Sequence, residues 1–422
     1  MVLLRSATLA DGTEVDVRID GAFIAATGPP GSLKPAPDEE VHDLEGYVLL
    51  PAPADPHAHL DKAFTSFRVE SPRRDLPGAV DAWMAFRSGL DAADVLDRAR
   101  AAALQALARG VTAIRSHVDV GQGIELRGAE ALIGLREELA GLLHIELVAL
   151  VSRPLAGLAG ADNRTLLRAA MKLGVDLVGG APHVDDDPRG ALEICLETAS
   201  DLGRPVDLHM DETLDPAMLG LEDLAQMVAQ GFPHPVTASH CVSLGVQPRE
   251  VQGRVAQAVA AAGIAVVTCP QTNLYLQGRD WENSPPRGLT ALRPLLDAGV
   301  TVGAGGDNVQ DVFNPLGRGD PLETAGLLVS AGHLSCEEAY DLVSRGARAV
   351  MGLPAVEVVA AGRPADLLAV AGHSLPQVIA TATEDRWVFA AGRTVARTRV
   401  ERHVAVAAEA GTAATVGGSS WR

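Results

Sequence analysis

The chain has 422 residues, enough for one large domain and a smaller companion. Hydrophobic residues make up 47%, which supports a sizeable core, and aromatics only 3%, so small aliphatic side chains do the packing, as where helices lie against a parallel sheet. A net charge of −19 counts against nucleic acid or an anionic membrane as partner, because both call for a basic face.

Residues 1–50 open on short alternating runs, Val2–Leu4, Val15–Ile19 and Ala22–Ala26, which predict the N-terminal part of a small β-sandwich. The opening Met1-Val2-Leu3-Leu4-Arg5 runs straight into polar residues and lacks the apolar core of a secretion signal. With no stretch of 18 unbroken apolar residues, the expectation is a cytoplasmic protein. From residue 51 to 352 short apolar runs alternate with longer amphipathic ones, the pattern of a parallel α/β fold. Eight candidate strands follow: Tyr47–Leu50 leading to His59, Val111–Val120, Ile145–Val151, Val175–His183, Val206–Glu212, Val236–Cys241, Ala265–Cys269 and Val300–Asp307. Helical stretches separate them, such as Ala92–Ala108, Glu125–Leu142, Thr165–Leu173, Gly190–Leu202, Gly220–Gln230 and Arg249–Ala262, several ending in a glycine suited to the residue after a helix. Eight β/α units predict a (β/α)₈ TIM-type barrel. Residues 353–405 return to the alternating style, with Asp366–Val370 and Trp387–Ala390, and predict the C-terminal part of the sandwich. Residues 406–422, rich in Ala, Gly, Thr and Ser, read as a mobile tail. Cys195, Cys241, Cys269 and Cys336 form no C-x-x-C pair, and most of them read as buried thiols in a reducing compartment.

Such a barrel carries its chemistry at the C-terminal ends of its strands, and the polar residues gather there. In His57-Ala58-His59, residues two apart on an extended strand share a face. Alone, the pair reads equally as a chelate or as two ordinary loop histidines; the flanking Pro56 and Leu60-Asp61-Lys62 favour the chelate. His209 ends an apolar strand three residues before Glu212, so His209 can bind a cation while Glu212 reaches the same space. Asp307 follows Gly303-Ala304-Gly305-Gly306, whose glycines let backbone approach closely, and a buried carboxylate there needs a partner such as a divalent cation. Three histidines and an aspartate leave one coordination position open, as a catalytic site requires. The fourth strand ends without a lysine to bridge two metals, so one metal is expected, and Zn2+ and Fe2+ suit the set equally. His117 and His183 also end strands and read as supporting or substrate-contacting residues; Arg153 reads equally as a substrate contact or a loop ion pair.

The segments Asp55-Pro56-His57-Ala58-His59-Leu60-Asp61-Lys62, Ser116-His117-Val118-Asp119-Val120, His209-Met210-Asp211-Glu212-Thr213, Ala238-Ser239-His240-Cys241, Asn273-Leu274-Tyr275-Leu276-Gln277-Gly278-Arg279 and Gly306-Asp307-Asn308 leading to Asn314-Pro315-Leu316-Gly317 stand in an order that resembles the amidohydrolase superfamily, in its cytosine deaminase-like branch. The resemblance implies that His57, His59, His209 and Asp307 are metal ligands, that Glu212 is the general acid/base, and that His240 contacts the attacking water and the forming oxyanion. It implies that Asp307 also passes a proton to the leaving amine. Asn308 takes the place of a second aspartate, Ser152 stands at or next to a substrate-reading glutamine, and Phe313 replaces a tryptophan. These departures turn the expectation from cytosine toward a related amino-heterocycle, read by Ser152, Arg153, His183, Asn308 and Phe313. The same branch resembles enzymes that remove alkylamines from aminotriazines, which is the alternative reaction. A non-catalytic scaffold is disfavoured by the intact Glu212 and ligand set, and a dihydroorotase-like reaction by the missing lysine. A small nitrogen heterocycle is the expected partner, and a homo-oligomer is compatible with the sequence.

Overall fold

The computed structural model of the protein describes residues 1–404, and the expected tail at 406–422 lies outside them. The N-terminal strands are β1 (Val2–Thr8), β2 (Glu14–Asp20), β3 (Phe23–Gly28), β4 (Glu40–Asp43) and β5 (Tyr47–Pro51). Barrel strands follow: β6 (Ala54–Ala58), β7 (Ala113–Val120), β8 (His144–Val151), β9 (Leu177–Gly180), β10 (Val206–Met210), β11 (Val236–His240), β12 (Ala265–Thr268) and β13 (Val302–Ala304). They pair in sequence order, each parallel to the next. A bridge from Ala58 to Asp307 joins first strand to last, with the His59 amide donating to the Asp307 carbonyl at 3.0 Å and the Asp307 amide to the His57 carbonyl at 2.8 Å.

Helices cover the barrel: α1 (Leu76–Arg87), α2 (Ala92–Ala108), α3 (Arg127–Glu138), α4 (Ala161–Leu173), α5 (Pro188–Leu202), α6 (Gly220–Ala229), α7 (Arg249–Ala261), α8 (Pro270–Leu276), α9 (Leu292–Asp297) and α10 (Pro321–Ser330). Gly203 follows α5 at φ +64°, a conformation a side chain would resist. The C-terminal strands β14 (Leu367–Ala371), β15 (Arg386–Ala390) and β16 (Arg393–Thr398) join the N-terminal ones in one eight-stranded sheet. That sheet packs over its own apolar cluster, which includes Leu4, Val17, Ile24, Leu49, Leu367 and Phe389.

The expected first barrel strand is thereby corrected. Tyr47–Leu50 belongs to the terminal sheet, where β5 pairs antiparallel with β14, Val48 opposite Val370. An unbroken apolar run fits the inside of either sheet; the true first strand hides behind its polar Asp55 and His57.

Buried charge is paired where it serves the fold. Arg386 on β15 donates to both carboxylate oxygens of Asp320 at 2.9 Å, and Asp320 caps α10, tying the terminal sheet to the barrel. At the N-terminal base of the barrel, Arg115 on β7 donates to Glu146 at 2.9 Å and to Asp207 at 3.0 Å.

Candidate active site

The site grows from the seam between β6 and β13. Gly305 and Gly306 lie against β6 so closely that a Cβ on Gly305 would stand 2.8 Å from the His57 carbonyl, and one on Gly306 2.9 Å from the Asp55 carboxylate. Asp55 accepts from the His57 and Gly306 amides at 3.1 Å, locking the two strands together. Asp307 then turns at φ +61°, and His240 at the end of β11 at φ +69°, uncommon backbone for side-chain-bearing residues.

His57, His59, His209 and Asp307 meet at the barrel mouth, all buried. His59 Nε2 lies 3.2 Å from His209 Nε2 and 3.3 Å from Asp307 Oδ1, and His57 Nε2 lies 3.7 Å from Asp307 Oδ1. Ligands at about 2.0–2.2 Å from one cation stand about 3–4 Å apart, so these distances suit a shared divalent ion. His57 Nε2 and Asp307 Oδ2 are buried without hydrogen-bond partners among the described residues. Burial drives the three imidazoles well below their ordinary pKa and, with Glu212 nearby, the Asp307 carboxyl well above its own. A cation removes both penalties by giving the lone pairs and the carboxylate a positive partner. His117 stacks 4.0 Å from His57 with neither ring nitrogen partnered, and Cys269, at the end of β12, has its sulfur within 4.8 Å of ligating atoms of His57, His240 and Asp307. The sequence offered Cys269 only as a buried thiol; its strand-end place was the signal to read.

Glu212 stands beside this group. Burial pushes its carboxyl up to about 8, with the Asn273 amide, donating to Oε1 at 2.9 Å, working the other way. His240 Nδ1 lies 3.5 Å from Glu212 Oε1, while its Nε2 is buried without a partner. Burial takes His240 down to about 3, so its ring is neutral.

Beside these residues opens a cavity of about 110 Å³. It is bordered by Ser152, Arg153, His183, Asn308 and Phe313 together with Glu212. Their free valences differ. Ser152 Oγ accepts from Arg87 at 2.7 Å and donates to the Val120 carbonyl at 2.9 Å, so its hydroxyl is already committed. Arg87 fills the space beside Ser152. Asn308 donates to Asp311 at 2.7 Å and accepts from Thr272 at 3.1 Å. Arg153 sits at the rim, 3.5 Å from Asp81, with 44% of its side chain exposed. His183 Nδ1 lies 3.1 Å from the His209 carbonyl, which can only accept, so Nδ1 carries the proton and the buried, unpartnered Nε2 is an acceptor.

The opposite wall is α1, which the sequence reading did not place. Leu76, Val80, Trp83, Met84 and Arg87 line the cavity at helical spacing, and Asp75 caps the helix by accepting from the Gly78 amide at 2.8 Å. Asp75 followed by Pro77 was the legible start signal. Trp83 and Arg87 are anchored on buried Asp119, which accepts from them at 2.6 and 2.9 Å and from Lys62 at 2.7 Å. Burial opposes ionisation of Asp119, yet Lys62 and Arg87 hold it well below the usual carboxylate range.

Known proteins resemble this chain over most of its length. Residues 79–396 match the model of an amidohydrolase family. The chain is 32% identical over 364 residues to a pterin deaminase from Rhizobium rhizogenes, covering 84% of this chain and 82% of that one. It superposes with a TM-score of 0.84 on 5-methylcytosine deaminase from Klebsiella pneumoniae, at 26% identity over 96% of this chain and 98% of the other. With N-isopropylammelide isopropylaminohydrolase from Burkholderia multivorans the TM-score is 0.81, at 29% identity over 94% and 98%. The chain belongs to the amidohydrolase family and is a hydrolase of carbon–nitrogen bonds in small nitrogen heterocycles.

Proposed function

We propose that the protein removes an exocyclic amino group by hydrolysis from a bicyclic amino-lactam of the pterin type. The observation that carries this is the convergence of four candidate ligand residues and a buried Glu212 on a cavity walled by Leu76, Val80, Trp83, Met84 and Phe313. His57, His59, His209 and Asp307 would hold one Zn2+ or Fe2+. When bound, the ion supplies Lewis acidity that makes water a nucleophile near neutral pH.

The remaining steps belong to the chain. Glu212, with Oε1 held by Asn273, takes one proton from the attacking water and hands it to the ring nitrogen beside the attacked carbon. His240 Nε2 meets the oxygen on which negative charge develops. Asp307 Oδ2, free of hydrogen bonds, relays the second proton to the leaving amine. Water and an amino-substituted C=N bond thus become a ring carbonyl with an adjacent N–H, and ammonia.

The substrate class follows from the walls. Leu76, Val80, Trp83 and Met84 on one side and Phe313 on the other flank a flat ring system. His183 Nε2 accepts from a ring N–H, and the unpartnered Arg87 Nε donates toward a ring carbonyl, so a lactam edge answers both. The 32% identity to a pterin deaminase supports the two-ring reading. The likeness to an isopropylaminohydrolase keeps alkylamine release as the second reading.

A steady-state panel of pterin, N-isopropylammelide, cytosine and 5-methylcytosine decides among them. Pterin is expected to give the highest kcat/KM, near the ~10⁵ M⁻¹s⁻¹ usual for a working enzyme. Superiority of either cytosine would overturn the reading of the walls. Release of isopropylamine faster than ammonia would replace it with the second reading.

A further inference from the structure

Below the proposed ligands, a chain of buried hydrogen bonds leads away from His57. His57 Nδ1 lies 2.8 Å from the Ser239 hydroxyl. Ser239 Oγ donates to Asp207 Oδ1 at 3.1 Å, and Asp207 Oδ2 accepts from Arg115 at 3.0 Å. Ser239, Asp207 and His57 each have no exposed surface, so no solvent competes for these bonds.

A hydroxyl has a single proton. With that proton directed at the Asp207 carboxylate, Ser239 Oγ has only lone pairs to offer His57, and Nδ1 must carry the imidazole proton. The Nε2 lone pair is then left facing Asp307 Oδ1 at 3.7 Å, where it has no other partner. Arg115, itself held by Glu146 at 2.9 Å, fixes the carboxylate from below.

We infer that Ser239 and Asp207 are positioning residues that hold His57 as its Nδ1–H tautomer and aim Nε2 at the cation. The inference rests on the cation site of the proposed function. A serine between carboxylate and imidazole passes on orientation while keeping the anion one residue away. Arg115 serves the same chain by deciding which face of Asp207 meets the hydroxyl.

Asp207→Asn gives the sharpest test, because it is nearly isosteric. The Arg115 guanidinium requires an acceptor, so the asparagine turns its oxygen there and presents its NH₂ to Ser239. The hydroxyl proton then swings to His57 Nδ1, and the imidazole is forced into the Nε2–H tautomer, which cannot ligate through that atom. Zinc affinity is measured by competition with a chromophoric chelator, alongside the visible spectrum of the cobalt-loaded protein and the melting temperature of the metal-free protein. Ser239→Ala and Asp207→Asn are each expected to weaken zinc by about 10–100-fold, the usual cost of losing a partner behind a ligating histidine, and to alter the cobalt bands. Ser239→Thr, which keeps a hydroxyl, is expected to recover affinity to within about threefold of wild type. Asp207→Asn placed on Ser239→Ala should add little, since the hydroxyl that reverses the tautomer is gone. Unchanged zinc affinity and cobalt spectrum in both single variants, with tight binding by wild type, would overturn the relay and leave the cation site standing. Failure of the wild type itself to bind zinc or cobalt overturns the site and the relay together.

Discussion

The two ends of the barrel treat buried polarity in opposite ways. At the base, Arg115 finds Glu146, Asp207 and, at 3.2 Å, the Thr237 hydroxyl. At the mouth, His57, His117, His209, His240 and Asp307 each leave at least one buried polar atom without a partner among the described residues. A protein selected only to stay folded would not keep such groups, since each unmet buried donor or acceptor costs about 1–3 kcal/mol. Satisfied polarity here reads as architecture, and unsatisfied polarity as readiness for an ion and a substrate.

That contrast can be broken or sharpened by experiment, and the largest effect is expected at the mouth. Glu212→Gln should lower kcat by about 10²–10⁴-fold while leaving fold and metal content unchanged. Near-normal turnover would move Glu212 out of the chemistry. Next comes a paired charge. Arg386→Met strands Asp320 in the interior and should cost about 3–5 kcal/mol of stability in chemical denaturation, with kcat of the folded fraction unchanged. A stable variant with impaired turnover would erase the distinction. Stripping the ion with a chelator should lower Tm by roughly 5 °C, because a ligand held at about a thousand times its Kd stabilises by about 4 kcal/mol. A Tm indifferent to chelation would mean the mouth is not completed by an ion.

The smallest effect is expected at the surface of the terminal sheet. Arg18 donates to Glu39 at 2.7 and 3.0 Å and holds that carboxyl below its ordinary range. A lowered folded-state pKa gives stability that is complete above the unfolded value near 4.5 and fades as pH falls through the folded one. Glu39→Gln should therefore lower Tm at pH 7 by less than about 2 °C and remove that increment's loss near pH 3. An equal deficit at both pH values would assign the effect to packing.

The mouth was legible in the sequence for a physical reason. His209, Glu212, His240 and Asp307 stand out as polar residues closing apolar runs, and His57 and His59 as a pair two apart, and the fold gathers all six at one end of the barrel. The base was not. Arg115 meets partners 31 and 92 residues away, and nothing local to any of the three charges reveals the match. The cavity wall on α1 fell between these cases. Its cap and the spacing of Leu76, Val80, Trp83, Met84 and Arg87 are local signals, but they sit between two elements whose patterns are stronger. Tyr47–Leu50 failed differently, because hydrophobicity marks a buried strand without naming its sheet.

The seam where Asp307 meets β6 has a consequence for how the enzyme comes into being. Asp55 grips the Gly306 amide across 251 residues of chain, and the proposed ligands His57 and Asp307 flank that joint. A ribosome releases the chain from its N-terminus, so His57 and His59 emerge long before the strand that completes their surroundings. Throughout that interval the nascent polypeptide carries His57 and His59 without the Asp307 that would join them. On the proposed assignment, the four ligands can meet only once the last stave of the barrel is in place.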